Sequence, residues 1–413
     1  MSSEGRAGPA RVQFFVGKGG VGKTTLAAAT AQAAAEAGNR TLLVSLDQAH
    51  SLADVIGIAA ARDLVSVTDT LDVLELDTLT LLENRFRSLA AVLAAAGSHD
   101  HGAQLSALEP EELTGLPGVQ DVLGLREIVR FATEGDYDAV VVDCPPTADC
   151  LRTLAAPAMA LEYIERVWPQ HRRIVALLGS DPRLVMLVTL IEQVVAAVGE
   201  VREMLANRAK TTVRLVTTPE RVVLTETRRT VAVAALSGLR IDAILVNNLL
   251  PHFDSPAGHD DPGVAWLIRR RALQQRVLAE LTASAGATVI LSVTRSVTEP
   301  VGWADLGGIA RELYADDTDA VAVLGKNPPA VRVGLESGAG VDSVYTMRMY
   351  LPLVNPSTLT LGRVEDDLVV GAEGVRRRVR LASVLRRCVV AGAELDGSDL
   401  VVRFTPDPQV WPV

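Results

Sequence analysis

The sequence predicts an α/β protein built on a doubly wound, mainly parallel sheet and followed by a smaller antiparallel β-sandwich. Three observations predict it. Short apolar runs alternate with helical stretches: VQFFV (12–16), TLLVSLD (41–47), AVVVDCP (139–145), TVRLVTT (212–218), DAILVNN (242–248) and TVILSV (288–293). Such runs are typical of strands covered on both faces of a parallel sheet. A glycine-rich stretch, GKGGVGKTT (17–25), follows the first run and opens a helix. Beyond about residue 331 the chain changes to short alternating runs divided by turn residues, as antiparallel sheets do.

Taken in order, TLAAATAQAAAEAG (25–38) consists of strong helix formers and stops at Gly38. Residues 82–134 hold LENRFRSLAAVLAAAG and LREIVRFATEG around a loop with Pro110 and Pro117, and residues 158–208 hold RLVMLVTLIEQVVAAVGEVREML. Together these two stretches predict a helical subdomain. In 158–208 the apolar residues recur at three-and-four spacing, which fits either a core-facing helix or an apolar face for a client. The acidic segment ADDTDAVAVLGKNPPA (315–330) ends in a proline pair and reads as a linker. It separates a first domain, 1–314, from a second, 331–413. The second contains VYTMRMYLPL (344–353), TLTLGRV (358–364), DLVVGA (367–372), VRRRVRL (375–381), CVVAGAEL (388–395) and DLVVRFTP (399–406), with turns at 365–367 and at Asp396-Gly397.

At 413 residues the chain exceeds what one core usually serves. No apolar run is expected to cross a bilayer, because Glu192 and Gln193 interrupt the region 183–198. The N-terminus, MSSEGRAGPARVQ, lacks the apolar core of a signal peptide. A cytoplasmic protein without stable membrane insertion is therefore expected. A net charge of −10 argues against a general nucleic-acid binder, although RRRVR (376–380) forms a local basic patch. Cys144, Cys150 and Cys388 form no CxxC pair, which predicts reduced thiols. Cys144 and Cys150 read as small buried hydrophobes or as a pair for a soft metal or metalloid.

Gly17-x4-Gly22-Lys23-Thr24 satisfies the P-loop pattern in its required setting of strand, loop and helix. The predicted nucleotide-binding residues are Gly17, Lys18, Gly19, Gly20, Val21, Gly22, Lys23, Thr24 and Thr25. The glycines let backbone N–H groups turn toward phosphates, and the helix N-terminus adds its positive end. Lys23 is expected to reach the β- and γ-phosphates and Thr24 to coordinate Mg²⁺. Asp143, after AVVV, fits the Walker-B role in the metal shell. Asp47, at the same sheet edge, is placed to orient or deprotonate the attacking water and to join that shell. Asp54 reads as a helix-capping or solvated-loop residue.

KGGVGKTT, LDQAHSLAD (46–54), YDAVVVDCPPTADCLRTL (137–154), LPGVQDVLGLREIVRF (116–131) and VNNLLP (246–251) together resemble the arsenical-pump ATPase family. Its eukaryotic members deliver tail-anchored membrane proteins. The likeness runs in order to about residue 314, and 331–406 resembles the small-heat-shock-protein-like sandwich of some bacterial members. The resemblance implies an ATP- and Mg²⁺-dependent homodimer that binds and releases a hydrophobic client protein or membrane-protein segment. It implies that Lys18 reaches the partner subunit's phosphates, making it catalytic beside Lys23 and Asp47. Asp47 falls in switch I, and Asp143, Pro146 and Thr147 fall in switch II. Asn247 matches the adenine-recognising residue, and VTRSVTEPVG (293–302) the second adenine-side loop.

The chain departs from the family pattern at three places. Gln48 stands where the family usually has proline, and Ala148-Asp149 where it has Gly-His. Residues 249–265 contain no cysteine, so the zinc pair of tail-anchor targeting members is missing and the dimer is expected to form without zinc. Two further readings follow: the ATPase subunit of an arsenite efflux pump, and a holdase-like chaperone whose nucleotide site is merely structural.

Overall fold

A computed structural model describes residues 8–49, 51–59, 61–95, 118–179, 182–252, 261–286, 288–315 and 319–411. The loop with Pro110 and Pro117, residues 316–318 of the expected linker and residues 253–260 of the cysteine-free stretch lie outside the described residues. The chain forms two compact units, Met1–Thr211 with Pro300–Ala322, and Thr212–Glu299 with Val323–Val413.

In the first unit, β1 (Arg11–Gly17) carries the buried Phe14 and Phe15. It pairs in parallel with β5 (Ala139–Asp143), and β5 pairs in parallel with β2 (Thr41–Ser45). The sequence reading missed the next two strands, β3 (Val65–Thr68) and β4 (Leu71–Glu75). β4 lies parallel to β2, whereas β3 turns back antiparallel on β4. The hairpin follows from LVSVTDTLDVLEL (64–76), whose polar residues obscure a second buried strand. The helix after the glycine-rich loop, α1 (Lys23–Glu36), begins two residues before the expected start. Its last turn leads to Gly38, which adopts a left-handed φ of 87°. The small alanines let α1 lie close to the sheet, and Ala34 packs with Ala139 and Val321.

Besides α1 and a helix over Trp303–Leu313, this unit contains α2 (Leu52–Ile56), α3 (Thr78–Ala95), α4 (Val119–Thr133), α5 (Thr147–Val167), α6 (Gln170–Leu177) and α7 (Pro182–Ala206). The expected interruption at Glu192 is corrected. The stretch Leu184–Ala206 continues as one helix, long and apolar enough by length and composition to cross a membrane. The helix carries Glu192 because Arg173 of α6, 3% exposed, donates to it at 2.6 Å. Arg173 also pairs with Glu165 of α5 at 3.2 Å, so one guanidinium pins three helices.

In the second unit, β6 (Thr211–Thr217), β7 (Ile241–Leu249) and β8 (Val289–Thr294) run parallel. Helices α8 (Arg221–Leu236) and α9 (Pro262–Ser284) belong to the same unit. The sandwich pairs a four-stranded antiparallel sheet with a three-stranded one. The first contains β9 (Val331–Ser337), β10 (Val344–Tyr350), β14 (Cys388–Asp396) and β15 (Asp399–Pro406). The second contains β11 (Thr360–Val364), β12 (Asp367–Ala372) and β13 (Val375–Arg380). The sandwich core of Met347, Met349, Val370, Val402 and Phe404 also takes in Ala235 and Leu236 of α8. Arg377 donates to the Leu236 carbonyl at 2.8 Å, fixing this junction.

Candidate nucleotide site

The glycine-rich loop leaves β1 at the carboxyl edge of the sheet, where ligands of open α/β sheets bind. Gly20 and Gly22 adopt φ of 79° and 92°, values that side chains with a Cβ resist. Val21, 3% exposed, anchors the loop, while Lys18, Gly19 and Gly20 face solvent. Lys23, 7% exposed, folds back so that its ammonium donates to the Lys18 carbonyl at 3.4 Å. Thr24 and Thr25 lie in the first turn of α1, and the Thr24 hydroxyl donates to Asp143 Oδ2 at 2.9 Å.

Asp143 ends β5 and is fully buried. Burial pushes its carboxyl from 3.8 up to about 6, and the charge of Asp47 acts in the same direction. The Thr24 hydroxyl, the Lys23 ammonium and the Ser45 hydroxyl oppose that rise. The Ser45 hydroxyl donates to Asp143 Oδ2 at 3.2 Å and accepts the Asp47 N–H at the same distance. Ser45, the last residue of β2, was missed in the sequence; its signal was a hydroxyl closing the buried run TLLVS, after three apolar residues. Asp143 Oδ1 is buried without a hydrogen-bond partner. An anionic oxygen left without donors in a buried site suits a hard divalent cation, which takes oxygen ligands. Among the described residues no group of three His, Cys, Asp or Glu side chains could hold a metal. A cation here would therefore draw on Asp143, the Thr24 hydroxyl, phosphate oxygens and water, the coordination habit of Mg²⁺.

Asp47 lies two residues beyond β2 rather than at its end, a correction to the expected strand 41–47. Its Oδ1 accepts the Ala49 N–H at 3.0 Å in an Asx turn. Pro146 caps α5, and Thr147, 9% exposed, begins it. The helix thus starts at Thr147, eleven residues before the expected stretch 158–208. Asp149 pairs with Arg152 at 3.3 Å on the surface of that first turn. A cavity of about 300 Å³ opens beside these segments, lined by Asp47, Gln48, Thr78, Asp121, Pro146 and Thr153 among others. Cys144 and Cys150 are both free and buried, and burial together with contact between the two thiols pushes Cys144 well above the ordinary thiol range.

Asn247 belongs to the second unit, near the end of β7. It is 9% exposed, and its Oδ1 accepts the Asn248 N–H at 2.8 Å. Asn248 holds a left-handed φ of 63°. Within the same unit, residues 295–299 of the second expected adenine-side loop are exposed.

The family described as anion-transporting ATPase matches residues 10–315, and the HSP20-like domain found in ArsA matches residues 342–404. Protein Rv2184c of Mycobacterium tuberculosis is 44% identical over 430 residues, covering 100% of both chains. A putative arsenical pump-driving ATPase of Chlorobaculum tepidum is 29% identical over 388 residues, 90% of each chain. ATPase GET3 of Kluyveromyces lactis is 32% identical over 276 residues, 63% of this chain and 79% of that one. With the glycine-rich loop, the buried aspartate at the sheet edge and an HSP20-like sandwich in a single chain, the protein belongs to the anion-transporting, arsenical-pump ATPase family and is an ATPase.

Proposed function

We propose that this ATPase is a Mg²⁺-dependent, cytoplasmic homodimer whose nucleotide state controls the binding and release of a hydrophobic client. The hydrogen bond from Thr24 to Asp143, with the partnerless Asp143 Oδ1 beside it, carries the reading. The loop amides and Lys23 hold the phosphates, while Thr24 and Asp143 hold the cation, which when bound neutralises charge on the phosphate oxygens. The Asx turn occupies Asp47 Oδ1 and leaves Oδ2 to orient the attacking water. Lys18, exposed at the loop tip, reaches the phosphates of a second copy, and Asn247 selects adenine.

The client face is the outer surface of α5 to α7. There Tyr163, Val167, Val175, Leu178, Leu187 and Val194 are exposed, Leu178 at 84%. Apolar side chains exposed in this number on packed helices support a surface for an apolar partner. The two buried thiols could serve an arsenite-linked role, and arsenite-stimulated turnover lost in Cys144→Ser would favour it.

The test is Asp47→Asn in the full chain. ATP affinity should stay within about an order of magnitude while turnover falls roughly a hundredfold, the scale of a lost general base. Equal losses in both would assign Asp47 to binding. Light scattering with and without ATP reads the dimer. Capture of a reporter bearing an apolar segment, lost in Leu178→Glu, reads the client face.

A further inference from the structure

Gln48 follows Asp47 directly in the chain. Gln48 is exposed, yet its side-chain amide donates to the Thr78 hydroxyl at 3.0 Å. Thr78 is a firm anchor. It is 7% exposed at the start of α3, and its methyl lies against Gly124 of α4 so closely that a Cβ there would come within 3.2 Å of it. Gln48, Thr78 and Asp47 line the same cavity of about 300 Å³.

The peptide joining residues 47 and 48 is therefore held from both sides. On one side the Asp47 N–H donates to Ser45 and Asp47 Oδ1 accepts the Ala49 N–H. On the other, Gln48 is tied to α3. We propose that Gln48 is a positioning residue for hydrolysis: its hydrogen bond to Thr78 holds Asp47 in the orientation that meets the attacking water. The inference rests on the reading of Asp47 as the water-orienting group. It assigns Thr78, in a helix away from the phosphate loop, a part in turnover.

The experiment measures kcat and KM for ATP in full-length Gln48→Ala, Thr78→Val, the double variant and Thr78→Ser, with Asp47→Asn alongside. Either single substitution should lower kcat about fivefold, equivalent to about 1 kcal/mol and to one net hydrogen bond, with KM within about twofold. The double variant should lose no more than either single, because both remove one bond. Thr78→Ser keeps the hydroxyl and should retain the wild-type rate within about twofold. Because Gln48 is exposed, Gln48→Ala tests the idea even if Thr78→Val folds poorly. Wild-type kcat in Gln48→Ala, losses that multiply in the double variant, or a Thr78→Ser as slow as Thr78→Val would each overturn it. If Asp47→Asn itself turns over normally, the reading of Asp47 fails instead.

Discussion

Replacing Asp143 by asparagine should stabilise the nucleotide-free protein while removing its turnover. The wild-type carboxyl is fully buried, and its value rises from 3.8 to about 6 on folding. At 1.36 kcal/mol per unit, a rise of about two units corresponds to about 3 kcal/mol lost when the buried group ionises. The folded state holds the proton more tightly than the unfolded state. The associated stability is therefore fully present below 3.8 and is lost as pH rises through about 6. Asparagine is neutral throughout and can still accept from Thr24 and Ser45. At pH 8 without nucleotide or Mg²⁺, Asp143→Asn should melt roughly 6–12 °C above wild type, at about 2–4 °C per kcal/mol for a unit of this size. The gap should shrink to about one-third of its free-energy value at pH 4.5, where wild-type Asp143 is mostly protonated. Adding Mg²⁺ and ATP should reverse the ranking, because only the wild type gains the binding free energy of the cation. Thermal melts of both proteins across this pH range provide the assay. An asparagine variant no more stable at pH 8, or a gap independent of pH, would refute the view that Asp143 is a strained, cation-seeking carboxylate.

Other outcomes follow from the same geometry. Lys18→Ala should bind ATP through Lys23 yet fail to dimerise and hydrolyse; mixing it with Lys23→Ala should restore partial activity in heterodimers, read by turnover of the mixture. Gly22→Ala places a Cβ at φ 92° and should weaken ATP binding at least tenfold, measured by calorimetry. Leu236→Ala removes a fully buried side chain from the sandwich core and should cost about 2–5 kcal/mol in chemical unfolding of the full chain. We place a domain boundary near residue 331: the fragment 331–413 should unfold cooperatively, but at a lower temperature than in the intact chain because Leu236 and its hydrogen bond to Arg377 are missing.

What the sequence determined by itself is whatever contiguous residues control. Strand runs such as AVVVD and VQFFV, the turn to α1 and the alternation from residue 344 to 406 are local patterns of burial and backbone preference, and these fold as their residues predict, although the strand Val331–Ser337 ahead of them was missed. The glycines at 20 and 22 likewise declare a left-handed backbone before any neighbour is known. The tertiary structure decided which distant groups meet. Ser45, Asp143 and Thr24 come from three elements, so their shared hydrogen bonds appear only once β2, β5 and α1 are assembled. The β3–β4 hairpin was obscured because its polar residues satisfy one another across the pair: Ser66 donates to Asp72 at 2.5 Å. Glu192 looked like an interruption because its compensating cation, Arg173, lies nineteen residues away on another helix. Leu236 reads as the end of an ordinary helix, and only packing makes it part of the sandwich core, since burial is set by which surfaces are brought into contact.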